Sequence, residues 1–82
     1  MSWNVYILEC SDSTFYVGVT TDIDRRIHEH NTCNHKGAKY TRSRRPVKLA
    51  YSEPQPTRSE ACKREATLKK LTRAQKQALI DV

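Results

Sequence analysis

A chain of 82 residues has room for one domain, 1–82, and for only a modest core. Its 15 lysines and arginines outnumber 9 acidic residues, for a formal charge of +6, so the expected partner is anionic and nucleic acid comes first. No apolar run approaches the roughly 20 residues that cross a bilayer, no secretory leader is visible, and Cys10, Cys33 and Cys62 are odd in number and scattered, which argues against a secreted disulfide framework and for the reducing cytoplasm.

Residues 3–20 read as a β-hairpin. Val5, Ile7, Phe15, Val17 and Val19 alternate as half-buried strands require, and Ser11-Asp12-Ser13 is turn chemistry, because short polar side chains bond their own backbone. Tyr6 and Tyr16 lie on the two strands. Gly18 sits inside the second, where glycine marks a bulge or a close approach to the backbone. A short helix over about 22–30 follows, capped by Thr20 or Thr21, with Asp22 and Asp24 complementing its dipole. Ile23 and Ile27 form its apolar stripe; Arg26 and His30, at i, i+4 spacing, flank the stripe on one side, while Arg25 and His28 point away. Arg26 is then either held near the tyrosines or spent in a surface ion pair with Asp22.

The connection 32–46 carries five Lys/Arg and no acid. A structureless connection of this length is functional or disordered. Lys36, Lys39, Arg42, Arg44 and Arg45, interleaved with Tyr40, suit a phosphate backbone and stacked bases; the competing reading is a solvated charge run. Residues 47–51 read as a third strand between Pro46 and Glu53-Pro54-Gln55-Pro56. Thr57-Arg58-Ser59-Glu60 is a capping box, and the helix it opens reaches about Leu71 with Ala61, Cys62, Leu68 and Leu71 as its apolar face. Glu65 falls inside that face, where a carboxylate needs a cation, a metal or a full set of donors. Thr72-Arg73-Ala74-Gln75 caps a last helix to about Ile80, and Arg73 joins Lys69, Lys70 and Lys76 at a basic end suited to phosphates.

The chemistry-bearing set is thus two strand tyrosines, an inward arginine, a histidine and an inward glutamate. Paired glycosidase carboxylates, a G-x-S-x-G elbow and a P-loop are absent. A zinc site from His28, His30, Cys33 and His35 matches no usual spacing. Phosphodiester hydrolysis fits: an arginine binds the phosphate, a glutamate holds one hydrated Mg²⁺, and a tyrosine orients or deprotonates water.

Val5-Tyr6-Ile7, Tyr16-Val17-Gly18, Arg26, His30 and Glu65, in this order and spacing, resemble the GIY-YIG nuclease superfamily. K-G-A-K-Y-T at 36–41, R-R-P-V at 44–47 and L-T-R-A-Q-K at 71–76 are similar to its small stand-alone YhbQ-like branch. Val5 replaces the leading glycine of the first motif, and Val19 stands where repair members often carry lysine. The resemblance implies an α+β fold, a small three-stranded antiparallel sheet flanked by helices in the order β-β-α-β-α-α. It implies Tyr6, Tyr16, Arg26 and His30 as catalytic residues and Glu65 as the ligand of Mg²⁺ or Mn²⁺. The activity it implies is endonucleolytic hydrolysis of DNA, branched or with single-stranded regions, in repair or processing. The other reading keeps the fold as a nucleic-acid-binding module with little or no cleavage.

Overall fold

The computed structural model describes residues 2–81. The hairpin forms as β1 (Trp3–Glu9) and β2 (Phe15–Thr20), followed by α1 (Ile23–Thr32), α2 (Lys39–Arg42), β3 (Lys48–Gln55), α3 (Arg58–Lys69) and α4 (Arg73–Ile80). The strands make one antiparallel sheet in the order β2-β1-β3. With β1 in the middle, its side chains are buried on both faces, so Val5, Tyr6, Ile7 and Leu8 all lose contact with solvent. Val5 and Ile7 meet Val17, Ala61 and Leu68, with Leu71, Leu79 and Ile80 packed around them, which places α3 and α4 on that face. Tyr6 and Leu8 meet Cys10 and Val47 under Ile27, which places α1 on the other.

The α+β class and the three-stranded sheet match the expectation from sequence, with one added element. The connection 32–46, expected to lack structure, contains α2, and the order is β-β-α-α-β-α-α. Polar contacts pin this segment where apolar periodicity gives no sign of order. Arg45 donates through Nε to the His30 carbonyl (2.6 Å), through Nη1 to Asn34 Oδ1 (3.1 Å) and through Nη2 to the Cys33 carbonyl (3.2 Å). The Asn31 amide accepts from the Val47 N–H at 2.7 Å and donates to its carbonyl at 3.1 Å.

Three local expectations are corrected. Asp22, not Thr20 or Thr21, caps α1, taking the Arg25 N–H at 3.0 Å, because buried Thr20 turns its hydroxyl to the Asp22 N–H instead (3.1 Å). Thr57 accepts the Glu60 N–H at 3.2 Å, but the Glu60 carboxylate lies 3.6 Å from Lys63 Nζ, so the reciprocal half of that capping box is not made. Thr72 and Gln75 do complete one on α4. On α3 the inner face is Ala61, Arg64, Glu65 and Leu68, and Cys62 is exposed. Arg64 can take its place beside the sheet because its Nε meets Glu53 Oε1 at 2.5 Å, and Glu53 also accepts from the Tyr51 hydroxyl at 2.8 Å.

Candidate active site

The antiparallel register sets Tyr6 of β1 directly across from Gly18 of β2. The Tyr6 ring lies over that glycine so closely that a Cβ there would come within 2.6 Å of Tyr6 Cζ. Gly18 is therefore required by the approach of the ring and not by its backbone angles, since no glycine has positive φ. The close approach expected from a glycine in a strand is thus an approach by a tyrosine.

Tyr6 Oη lies 3.0 Å from Nε2 of His30, one helical turn past Arg26 on α1. His30 is fully buried. Its Nδ1 lies 3.0 Å from Thr41 Oγ1 and accepts a longer contact, 3.3 Å, from the Ala38 N–H. Burial, with Arg26 and Arg45 nearby, holds the His30 pKa down at about 4 against the usual 6.5. Burial also pushes Tyr6 up to about 12; the charge of Arg26 opposes this, and that of Glu65 adds to it. Tyr6 is a neutral phenol in the resting protein, and His30 a neutral imidazole.

A pH dependence follows with a definite sign. The unfolded chain protonates His30 from its usual pKa of 6.5 downward, whereas the folded chain does not until about 4. The unfolded state binds more protons in that window, so stability rises with pH across it and falls on acidification. The loss approaches about 2–3 kcal/mol near the lower end. Urea unfolding of the protein and of His30→Gln between about pH 7 and 5 checks this: the slope should be markedly smaller in the variant, and equal slopes would remove His30 as its source.

Arg26 sits on the inner side of α1. Its side chain is 26% exposed, against 63% for Arg25, as the helix phase predicts. It pairs with Glu29 at 3.1 Å rather than with Asp22, and donates through Nη1 to the Lys36 carbonyl. Its positive charge acts on Tyr6, opposing the rise that burial imposes on the phenol. Tyr16, less buried than Tyr6, packs edge-on against the His30 ring (centroids 5.3 Å) and stacks on Tyr40 of α2 (5.9 Å, 26° between planes). The Arg44 guanidinium lies 4.0 Å from the Tyr40 centroid, and its Nε is 3.1 Å from Asp12 Oδ2. Glu65, half-buried on α3, is 3.5 Å from Lys69 Nζ through Oε2, and its charge is felt at Tyr6.

The structure brings Tyr6 and Tyr16 together at His30, while Arg26 and Glu65 act on Tyr6 through their charges. It separates the expected nucleic-acid contacts into two kinds. Lys36, Lys39, Tyr40 and Arg42 are exposed, although Arg42 also donates to the Asn34 carbonyl at 2.5 Å. Arg45 is committed to the end of α1, Arg44 to Tyr40 and Asp12, and Arg73 to the hairpin turn, where Nε and Nη2 donate to the Ser13 carbonyl at 3.1 and 3.0 Å. Sequence reasoning missed Thr41 and the Lys36 carbonyl; a small polar residue fully buried within a basic run is visible only in three dimensions.

A strand glycine under a tyrosine, a second strand tyrosine, an inward helix arginine and a glutamate on the next long helix define a class. The chain matches the GIY-YIG catalytic domain over residues 2–78 and belongs to that family. Within it the chain is a member of the UPF0213 group. A UPF0213 protein of Desulfotalea psychrophila is 54% identical over 79 residues, covering 96% of this chain and 71% of that one. One from Halobacterium salinarum is 54% identical over 76 residues, covering 93% and 96%. The solution NMR structure of a UPF0213 protein from Bacillus halodurans is similar at TM-score 0.61 and 46% identity, and that of a protein from E. faecalis at 0.67 and 49%, each covering 99% of this chain and 84% of the other.

Proposed function

We propose that the protein is a divalent-metal-dependent endonuclease that hydrolyses DNA phosphodiester bonds. The observation that carries this reading is the buried Tyr6–His30 hydrogen bond on the strand motif, with the charges of Arg26 and Glu65 acting on the same hydroxyl.

Arg26 has the role of phosphate ligand. Glu29 and the Lys36 carbonyl fix its guanidinium, and a planar fork of donors held in advance binds a phosphate and its developing negative charge without reorganising. Tyr6, 1% exposed and at about 12, is too buried and too weak an acid to take a proton from water; it orients Arg26 and is itself held by His30. Tyr16 is the more accessible of the two and stands over the same histidine, so it is the tyrosine that meets the attacking water. His30, with no exposed surface, positions Tyr6 and does not touch substrate.

Among the described residues no three His, Cys, Asp or Glu side chains converge as a metal cage. A lone half-buried carboxylate does fit Mg²⁺ or Mn²⁺, which keep several waters and are held by one or two carboxylates. Glu65 would hold the ion with its carboxylate, in competition with Lys69. When bound, the ion supplies Lewis-acid stabilisation of phosphate charge and acidifies a bound water.

The second reading, a nucleic-acid-binding module with little or no cleavage, draws on the Glu65–Lys69 pair, which already gives the carboxylate a cation. Supercoiled plasmid and branched or flapped DNA, incubated in Mg²⁺ or Mn²⁺ and in EDTA, separate the two. Metal-dependent nicking is expected; tight binding with no cut in either metal would favour the module. In the same assays affinity should fall steeply with salt, and Lys36→Ala/Lys39→Ala/Arg42→Ala should flatten the salt slope by about 2–3. Arg45 is left out of this set because its donors hold α1. An unchanged slope would remove the 36–42 segment from the interface.

A further inference from the structure

Three consecutive residues, Lys36, Gly37 and Ala38, each turn one backbone group onto α1 and its end. The Lys36 carbonyl accepts from Arg26 Nη1, the Gly37 N–H donates to the Cys33 carbonyl at 3.0 Å, and the Ala38 N–H donates to His30 Nδ1 at 3.3 Å. The middle residue has no room for a side chain. A Cβ on Gly37 would lie 2.8 Å from the Cys33 carbonyl oxygen, 2.9 Å from that of Glu29 and 3.3 Å from His30 Cα.

All three neighbours are backbone atoms, so no side-chain rotation relieves the crowding. A carbon approaches a carbonyl oxygen to about 3.3 Å, so a Cβ there forces the turn and the helix apart by roughly half an ångström. The helix is the part that stays. Its Glu29 carbonyl already takes the Cys33 N–H at 2.9 Å, and Arg45 donates to the His30 and Cys33 carbonyls at 2.6 and 3.2 Å. The 36–38 turn has to lift instead, and it takes the Lys36 carbonyl away from Arg26. Glu29 belongs to the same helix as Arg26, whereas the Lys36 carbonyl comes from a separate segment. Without that carbonyl the guanidinium is held from its own helix alone.

We infer that Gly37 is a positioning residue of the active site: by letting the 36–38 turn lie against the backbone of α1, it brings the Lys36 carbonyl onto the Arg26 guanidinium. The effect on cleavage rests on the nuclease reading above; the contact is a property of the resting protein and does not. A catalytic group has to be held to within about half an ångström of its productive place, so the displacement a single methyl group forces here is enough to reach the chemistry. Lys36 serves the site through its carbonyl, and its side chain is free to meet phosphate.

The test is NMR of isotope-labelled protein at low temperature, reading scalar couplings across two hydrogen bonds: from Arg26 Nη1 to the Lys36 carbonyl carbon, and from the Gly37 nitrogen to the Cys33 carbonyl carbon. Wild type should show both, and Lys36→Ala should keep both, since only a side chain is lost. Gly37→Ala should lose the Arg26 coupling and lower kcat about tenfold or more, with KM for DNA little changed. In an Arg26→Ala background the same substitution should cost no further kcat, because Gly37 acts through Arg26. A merely structural glycine would lower kcat equally in both backgrounds, and that result overturns the inference. So does a Gly37→Ala protein that keeps the Arg26 coupling. If Gly37→Ala does not fold, the wild-type couplings decide: both present support the seated turn, and loss of either overturns it. Absence of cleavage by wild type would count against the nuclease reading alone, since the couplings still report on Gly37.

Discussion

Arg26→Ala should reduce metal-dependent cleavage by about a thousandfold or more, while Arg25→Ala should cost less than about threefold. The two neighbours differ by one step of the helix and by most of their exposure. Arg25 is a solvated side chain whose nearest carboxylate contact is 3.9 Å, the kind of pair that contributes little. Arg26 is turned under the segment that follows, with the Lys36 carbonyl and Glu29 fixing two directions of its guanidinium and Tyr6 close by. An arginine so held acts on charge that develops in the transition state, so its loss should appear in kcat more than in DNA affinity. The fold should survive, because Arg26 belongs to neither apolar cluster and its removal leaves Tyr6 still bonded to His30. Kinetics and circular dichroism of both variants check this. Equal losses at Arg25 and Arg26 would mean that both act as plain phosphate anchors.

That Arg26 turns inward could be read from sequence because one helix with two isoleucines fixes its own phase. The hairpin was legible for a similar reason: strand alternation and a polar turn are local signals. What faces Arg26 was not legible. His30 and Tyr6 are 24 residues apart, and His30 and Thr41 are 11 apart, so no window of periodicity contains either pair. The α2 helix is four residues long, too short for an apolar stripe to announce it. Arginines are also ambiguous as letters. Arg42, Arg44, Arg45 and Arg73 look alike in a basic run, yet Arg45 satisfies carbonyls at the end of α1 and Arg73 latches the hairpin turn. The misplaced face of α3 has the same origin. Counting Cys62 as apolar rotates the face, whereas the fold exposes Cys62 and brings in Arg64, whose charge is met by Glu53.

Glu65→Gln is the companion experiment on α3. Its expected outcome is loss of metal-dependent cleavage by about a hundredfold or more, with DNA binding retained or strengthened. The stability change should be small. Glu65 is 24% exposed and its partner Lys69 is 54% exposed, so the pair is a surface i, i+4 contact worth about 0.3–0.5 kcal/mol, not a buried one whose rupture would cost about 3 kcal/mol or more. Stability of the metal-free protein therefore does not separate a nuclease from a binding module; the response to the ion does. If Glu65 holds the ion in the folded state alone, Mg²⁺ at ten times its Kd should stabilise wild type by about 1.4 kcal/mol, and Gln, which keeps the size but not the charge, should abolish that gain. In a chain of this length a shift of that size is about 5–10 °C in Tm. Melts with and without Mg²⁺, run beside cleavage assays, read both effects on one sample. A Glu65→Gln protein that cuts as well as wild type would strip Glu65 of its role. A wild type that neither cuts nor gains stability from Mg²⁺ or Mn²⁺ would leave Lys69 as the only cation Glu65 serves, and the fold as a binding module.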